Sequence, residues 1–313
     1  MNVRGTRYQR PPPPRRVPKC GTPAAPGNDH DPIAAGATSV RGLERVRRWV
    51  KWVLFHVVAG ADPQRYIELR RTAMSLLGRV GAYERAHLRY LQRLVRPGAL
   101  VVDVGAHFGI YTEVLCSLVG TGGKVHAFEP QTRVFDALRR LQSSHNNLDV
   151  HRVALSSRTG TCTLRMPLLD GGVPEPALAT LQPVSGPHET DEIATRTLDS
   201  YRELLPGLAF VKVDVEGHET EFLDGAREVL ASNRPIVQIE DNSGGRRLAA
   251  YLHEGKLPGY ALCTLADGEL RECNAATGRG QINFYLVPCD GGSGTSYHAG
   301  PRDDCVPAAC GTR

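Results

Sequence analysis

From Gly98 to Val287 short apolar runs alternate with amphipathic ones, and this alternation restricts the chain to βαβ units built around a mainly parallel sheet. The apolar runs predict seven strands, at Leu100–Val104, Lys124–Phe128, Val150–Val153, Phe210–Asp214, Ile236–Glu240, Ala261–Thr264 and Asn283–Val287. Helical spacing follows Gly109, Pro130 and His218. The expectation is an α/β domain over residues 98–288, with a seven-stranded sheet covered by helices on both faces.

In such sheets ligands bind beyond the carboxyl ends of the strands, so the residues that close each strand carry the functional reading. The first strand closes as Val101-Val102-Asp103-Val104-Gly105-Ala106-His107-Phe108-Gly109. Gly105 permits close backbone approach to a ligand, and Gly109 close packing of the next helix. The second strand closes at Glu129, 24 residues after Gly105, the separation at which an acid reaches ribose hydroxyls in a Rossmann-like site. A dinucleotide site would place glycine at position 107 and no carboxylate just before the turn, because pyrophosphate needs free backbone N–H groups. Asp103 instead suits a cationic α-amino group, which points to S-adenosylmethionine. The rival reading is an NAD(P)-dependent oxidoreductase that uses Glu129 in the same way.

Six segments, VVDVGAHFGIYT, KVHAFEP, VHRVALSS, ATRTLDSY, FVKVDVEGHETEFLDGA and IVQIE, resemble the FkbM-type methyltransferases from about Tyr83 to Glu240. The resemblance implies a Rossmann-like class I methyltransferase fold, S-adenosylmethionine as donor, and O-methylation of a small molecule or sugar. Carried over by position, Asp103, Gly105 and Gly109 surround the methionine end of the cofactor, and His107 lies in the same cofactor-binding turn. Glu129 accepts from both ribose hydroxyls, and Ala154 and Leu155 lie along the adenine. His107 departs from the family, which usually has Asn there.

Methyl transfer from a sulfonium is an in-line displacement, and an alcohol acceptor must also lose a proton. The fourth strand delivers Lys212-Val213-Asp214-Val215-Glu216-Gly217-His218-Glu219. Asp214 and His218 are the candidate bases, Asp214 nearest the methyl and His218 with the more suitable ordinary pKa. Glu216 reads equally as a catalytic group or a helix-start carboxylate, Glu219 as the latter. Lys212 reads as solvated or ion-paired. Asp214, Asp241 and Asn242 resemble a divalent-cation site of some O-methyltransferases. Asp241-Asn242 before Ser243-Gly244-Gly245 is equally ordinary turn chemistry, so no metal ligand is assigned.

The flanks carry the charge. The formal net charge of +5 arises wholly within residues 1–41, where seven Arg and Lys face Asp29 and Asp31, so the rest is formally neutral and no nucleic-acid partner is expected. Residues 1–40, with Pro11–Pro14, read as a disordered leader, and 289–313 as a disordered tail. Residues 41–97 read as N-terminal helices. Within them 43–57 form a basic amphipathic helix with Trp49 and Trp52, which packs on the domain or rests on a membrane surface, too short to span one. The Pro- and Gly-rich insertion 167–190 is the candidate acceptor-recognition loop. Eight scattered cysteines without CxxC spacing, and no apolar signal core, predict a cytoplasmic protein without a zinc site.

Overall fold

The computed structural model describes residues 82–169, 172–273 and 281–289. The leader, the 43–57 helix and nearly all of the tail lie outside the described residues. Helix α1 (Ala82–Leu94) leads into β1 (Leu100–Val104), α2 (Ile110–Val119), β2 (Lys124–Phe128), α3 (Thr132–Gln142) and β3 (Leu148–His151). After an intervening sheet come β8 (Leu208–Val213), α4 (Glu219–Asp224), α5 (Arg227–Asn233), β9 (Ile236–Glu240), α6 (Arg246–His253), β10 (Tyr260–Ala266), β11 (Glu269–Glu272) and β12 (Asn283–Pro288). The main sheet runs β11-β10-β12-β9-β8-β1-β2-β3. Pairing is parallel from β9 to β3, while β12 runs antiparallel to both β9 and β10.

Strand alternation sends side chains to two separate cores, which is why helices cover both faces. Val102, Val104, Val211, Val213, Val237 and Ile239 pack with Phe222, Leu230 and Leu248 of α4, α5 and α6. Val101, Val125, Ala127 and Phe210 pack on the opposite face with Leu91, Leu115 and Leu138 of α1, α2 and α3. Burying such side chains contributes roughly 1.5–3 kcal/mol each.

Polar residues interrupt that second face at the level of the site. Asp103 on β1 lies beside Lys212 on β8, which lies beside Gln238 on β9, and all three are buried. Buried polar groups of this kind are expensive in a sheet core unless they are hydrogen-bonded or paired.

Two features extend the expected seven strands. Asp267 and Gly268, both at positive φ, turn β10 back as β11 and add an eighth strand. A second sheet, in the order β4-β7-β5-β6, is formed by β4 (Ala154–Leu155), β5 (Gly160–Leu169), β6 (Val173–Pro174) and β7 (His188–Arg196). The 167–190 insertion is therefore not all loop: its ends belong to β5 and β7, which pair from Gly160↔Thr195 to Pro167↔His188. Few of these residues are buried, so their sequence lacks the apolar run that betrays a strand.

Candidate active site

The carboxyl ends of β1, β2 and β8 meet at one cleft. Gly105 and Ala106 both donate their N–H to the Phe128 carbonyl, and Asp214 N–H donates to the Val104 carbonyl, which knits the three strand ends together. A Cβ at Gly105 would lie 1.8 Å from the Asp214 carbonyl oxygen. Glycine is thus required for close approach of β1 to the β8 backbone, in addition to lining the cleft. Gly109 behaves as expected, since a Cβ there would meet Leu138 and Leu141 of α3.

Glu129 is 2% exposed, and its two oxygens accept from the backbone N–H of His107 (2.9 Å) and Gln131 (2.7 Å). Burial pushes its carboxyl up to about 7, against the lowering effect of those two bonds. Each oxygen keeps a lone pair for a further donor, and the cleft lies directly in front of them. His107 takes a left-handed conformation, φ 52°. Asn and His are both among the residues that tolerate this region, so the departure from the family's usual Asn preserves the turn.

Next to Glu129 the cleft is walled by Phe128, Val153, Ala154, Leu155 and Leu164, an apolar slot suited to a flat base. A strap after β6 roofs it. Pro176–Leu178 form a 3₁₀ turn, and the Pro176 carbonyl accepts from Gln131 Nε2 at 3.0 Å. On the far side Thr180 Oγ1 donates to the Glu216 carbonyl (2.6 Å) and Gln182 Nε2 to the Gly217 carbonyl (3.2 Å). Sequence reading placed this segment near the acceptor; its position over the slot was hidden because nothing in PALAT marks a partner across the sheet.

At the other end a smaller recess is lined by Asp103, Gly105, His107, Tyr111, Lys212 and Asp214. Asp103 is 1% exposed and accepts from Thr112 Oγ1 at 2.6 Å; burial holds it up to about 6. Lys212 is 2% exposed and ion-paired with Asp214 at 3.4 Å, so it is a buried and not a solvated cation.

The remaining candidates separate. Glu216, at φ 46°, is pushed up to about 8 by burial and by Asp214, Glu240 and Glu219. His218 Nε2 lies 2.9 Å from Ser156 Oγ, just beyond β4, and burial lowers its pKa despite Glu221. That contact holds the imidazole at the apolar-slot end, away from the recess. Glu219 starts α4 as expected, accepting from Gly217 N–H and pairing with Arg247. Asp241 is fully buried and accepts from Ser243 N–H and Ser243 Oγ and pairs with Arg247, which is the turn chemistry. Among the described residues Asp214, Glu216 and Glu240 form a group of three carboxylates whose oxygens lie within 4.8 Å of one another.

Sheet order, strand directions and the cleft at the β1–β2–β8 ends define a class I methyltransferase domain of Rossmann-like architecture. Residues 103–255 match the methyltransferase FkbM domain. The chain is 32% identical over 161 residues to the hexuronic acid methyltransferase AglP of Haloferax volcanii, across 50% of this chain and 62% of the relative. The chain thus spans less than two thirds of that relative's length. A methyltransferase FkbM from Methylobacillus flagellatus aligns at 17% identity and TM-score 0.40, over 64% of this chain and 50% of the other. Fibrillarin of Aeropyrum pernix, solved with S-adenosyl-L-methionine, aligns at 12% identity and TM-score 0.35, over 62% and 67%. Among the described residues no helix is long and apolar enough to cross a membrane.

Proposed function

We propose that this chain transfers a methyl group from S-adenosylmethionine to a hydroxyl of a small molecule or sugar. The observation that carries this reading is Glu129: a buried carboxylate, fixed by two backbone donors, facing a cleft between an apolar slot and a charged recess. The donor set fits the cofactor part by part. Phe128, Val153, Ala154 and Leu155 would hold the adenine, Glu129 both ribose hydroxyls, and the recess with Asp103, Gly105 and His107 the methionine tail. Gly109 acts indirectly, by seating α2 against α3. When bound, the cofactor supplies an electrophilic methyl.

The chain's own contribution is alignment and proton removal. Asp214 lies where slot and recess meet, lining both, and is the residue placed to accept the acceptor's proton. Its side chain is 36% exposed, open enough for an acceptor to reach. Glu216 serves as a hydrogen-bond partner for the acceptor, because a carboxyl raised to about 8 is mostly protonated at neutral pH and donates as well as accepts. His218 is assigned to the slot, where with Ser156 it closes the adenine end; this shifts the base role to Asp214. The relative acts on a hexuronic acid by its name, which favours a sugar acceptor here.

Isothermal titration with S-adenosylhomocysteine tests the cofactor half of this proposal. Saturable binding that Glu129→Ala removes supports it; retention of NADH in preference to adenosylhomocysteine overturns it in favour of the oxidoreductase reading. Incubation with methyl-labelled donor and a panel of monosaccharides and uronic acids tests the acceptor half.

A further inference from the structure

Lys212 is a buried ammonium whose charge Asp214, Tyr111, Glu240 and Asp103 all favour, but whose direct contacts are long. Its side chain is 3% exposed, yet its hydrogen bond to the Val213 carbonyl and its ion pair with Asp214 are both long, at 3.4 Å. The nitrogen also lies over the Tyr111 ring, 5.1 Å from its centre. A lysine ammonium has three N–H donors, and leaving them weakly satisfied inside a protein is costly. Gln238, its neighbour on β9, does not relieve it: the Gln238 amide nitrogen donates to Asn283, and its oxygen has no partner.

The ammonium lines the recess beside Gly105, at the end of the cleft remote from the apolar slot. Asp103 and Asp214 line it too. A recess with one cation and two carboxylates around a glycine turn is complementary to a zwitterion, negative group toward Lys212 and positive group toward the acids.

We propose that Lys212 binds the carboxylate of the cofactor's methionine tail and so selects the intact amino-acid end over analogues that lack it. This rests on the cofactor reading above. Tyr111 supports the ammonium from one side by cation–π attraction, and Asp214 keeps it turned into the recess. A site that pairs a buried charge discriminates strongly against a ligand that leaves the charge unpaired.

The test uses the full chain and three nucleosides measured by titration calorimetry: S-adenosylhomocysteine, its decarboxylated analogue S-adenosyl-3-thiopropylamine, and 5′-methylthioadenosine, which lacks the whole tail end. The expected result is that the unaltered protein prefers adenosylhomocysteine to the decarboxylated analogue by about tenfold or more. Lys212→Met should erase that preference while leaving methylthioadenosine affinity unchanged, and Lys212→Arg should restore part of it. Equal affinity of the unaltered protein for the first two ligands overturns the assignment, even where Lys212→Met fails to fold. So does a Lys212→Met variant that weakens all three alike, which would make the lysine a structural counter-ion. Failure of all three to bind removes the cofactor reading itself, and this inference with it.

Discussion

The backbone N–H of His107 donates to Glu129 Oε2 at 2.9 Å, so the glycine turn after β1 and the acid after β2 form one unit before any ligand arrives. Preorganisation of this kind lowers the cost of binding. Removing the carboxylate frees two backbone donors and, on the proposed cofactor reading, also costs both ribose contacts. Hydrogen bonds to a charged group are worth roughly 1.5–3 kcal/mol each, so Glu129→Ala should weaken adenosylhomocysteine by at least about 100-fold. Calorimetry on the folded variant, with its melting curve as a control, checks this.

The same residue sets a pH dependence. Burial lifts Glu129 to about 7, and it must be ionised to accept two hydroxyl donors at full strength. Adenosylhomocysteine affinity should therefore rise between pH 6 and 8, with the inflection near the lifted value. Glu129→Gln should bind more weakly and lose the slope.

Ligand-free stability should move the opposite way. Glu129 and Glu216 both have folded values, about 7 and about 8, above the ordinary 4.5. The folded state then holds protons that the unfolded chain has released, so their stabilising effect is complete below about 4.5 and is lost as pH rises through about 7 and about 8. Below about pH 6.5 the buried His87 and His151, both lowered to about 4, act in the opposite sense, so the melting temperature of the ligand-free protein should fall from pH 7 to 8.5, and Glu216→Gln should flatten that fall. A flat profile in the unaltered protein would contradict the placement of both side chains.

The strand ends were legible in the sequence because each announces itself locally: an apolar run broken by Asp103-Val104-Gly105, or closed by Glu129-Pro130. β1, β2 and β9 have the expected boundaries, and α2, α3 and α4 start within two residues of Gly109, Pro130 and His218. The second sheet was not legible, since β7 is mostly exposed and its pattern HETDEIATR has no apolar face to signal a strand. For Lys212 the sequence left a solvated and an ion-paired reading open for a related reason. A lysine within an apolar strand looks like a solvated residue until the adjacent strands are known to bury it between Asp103 and Gln238. His218 illustrates the limit for chemistry: its ordinary pKa and its place after the fourth strand made it a candidate base, and only the fold reveals Ser156, 62 residues earlier in the chain, as its partner.

Backbone approach at the cleft gives a stability prediction with no catalytic content. A methyl at Gly105 would collide with the Asp214 carbonyl at 1.8 Å, and φ +75° is a strained conformation for alanine. Gly105→Ala should cost more than about 2 kcal/mol and lower the melting temperature by several degrees. Gly98→Ala, also at positive φ but with nothing within 4 Å, isolates the conformational part of that cost. The difference between the two melting curves measures how tightly β1 and β8 meet.

Asp214 and His218 should separate in a transfer assay once an acceptor is in hand. Asp214 lines both the slot and the recess, whereas His218 is held by Ser156 beside β4. General-base removal typically costs 10²–10⁴-fold in rate, so Asp214→Asn should lower kcat by about 100-fold or more, and because Asp214 also lines the recess proposed for the cofactor's tail, cofactor KM should rise with it. Because the substitution also strips Lys212 of its ion pair, a loss of stability accompanies it and the rate must be read on folded protein. His218→Gln should leave kcat within about threefold and act mainly through cofactor KM, as a residue of the adenine end would. The reverse pattern, with His218→Gln abolishing turnover and Asp214→Asn tolerated, would return the base role to the imidazole and require the Ser156 contact to break when the acceptor binds.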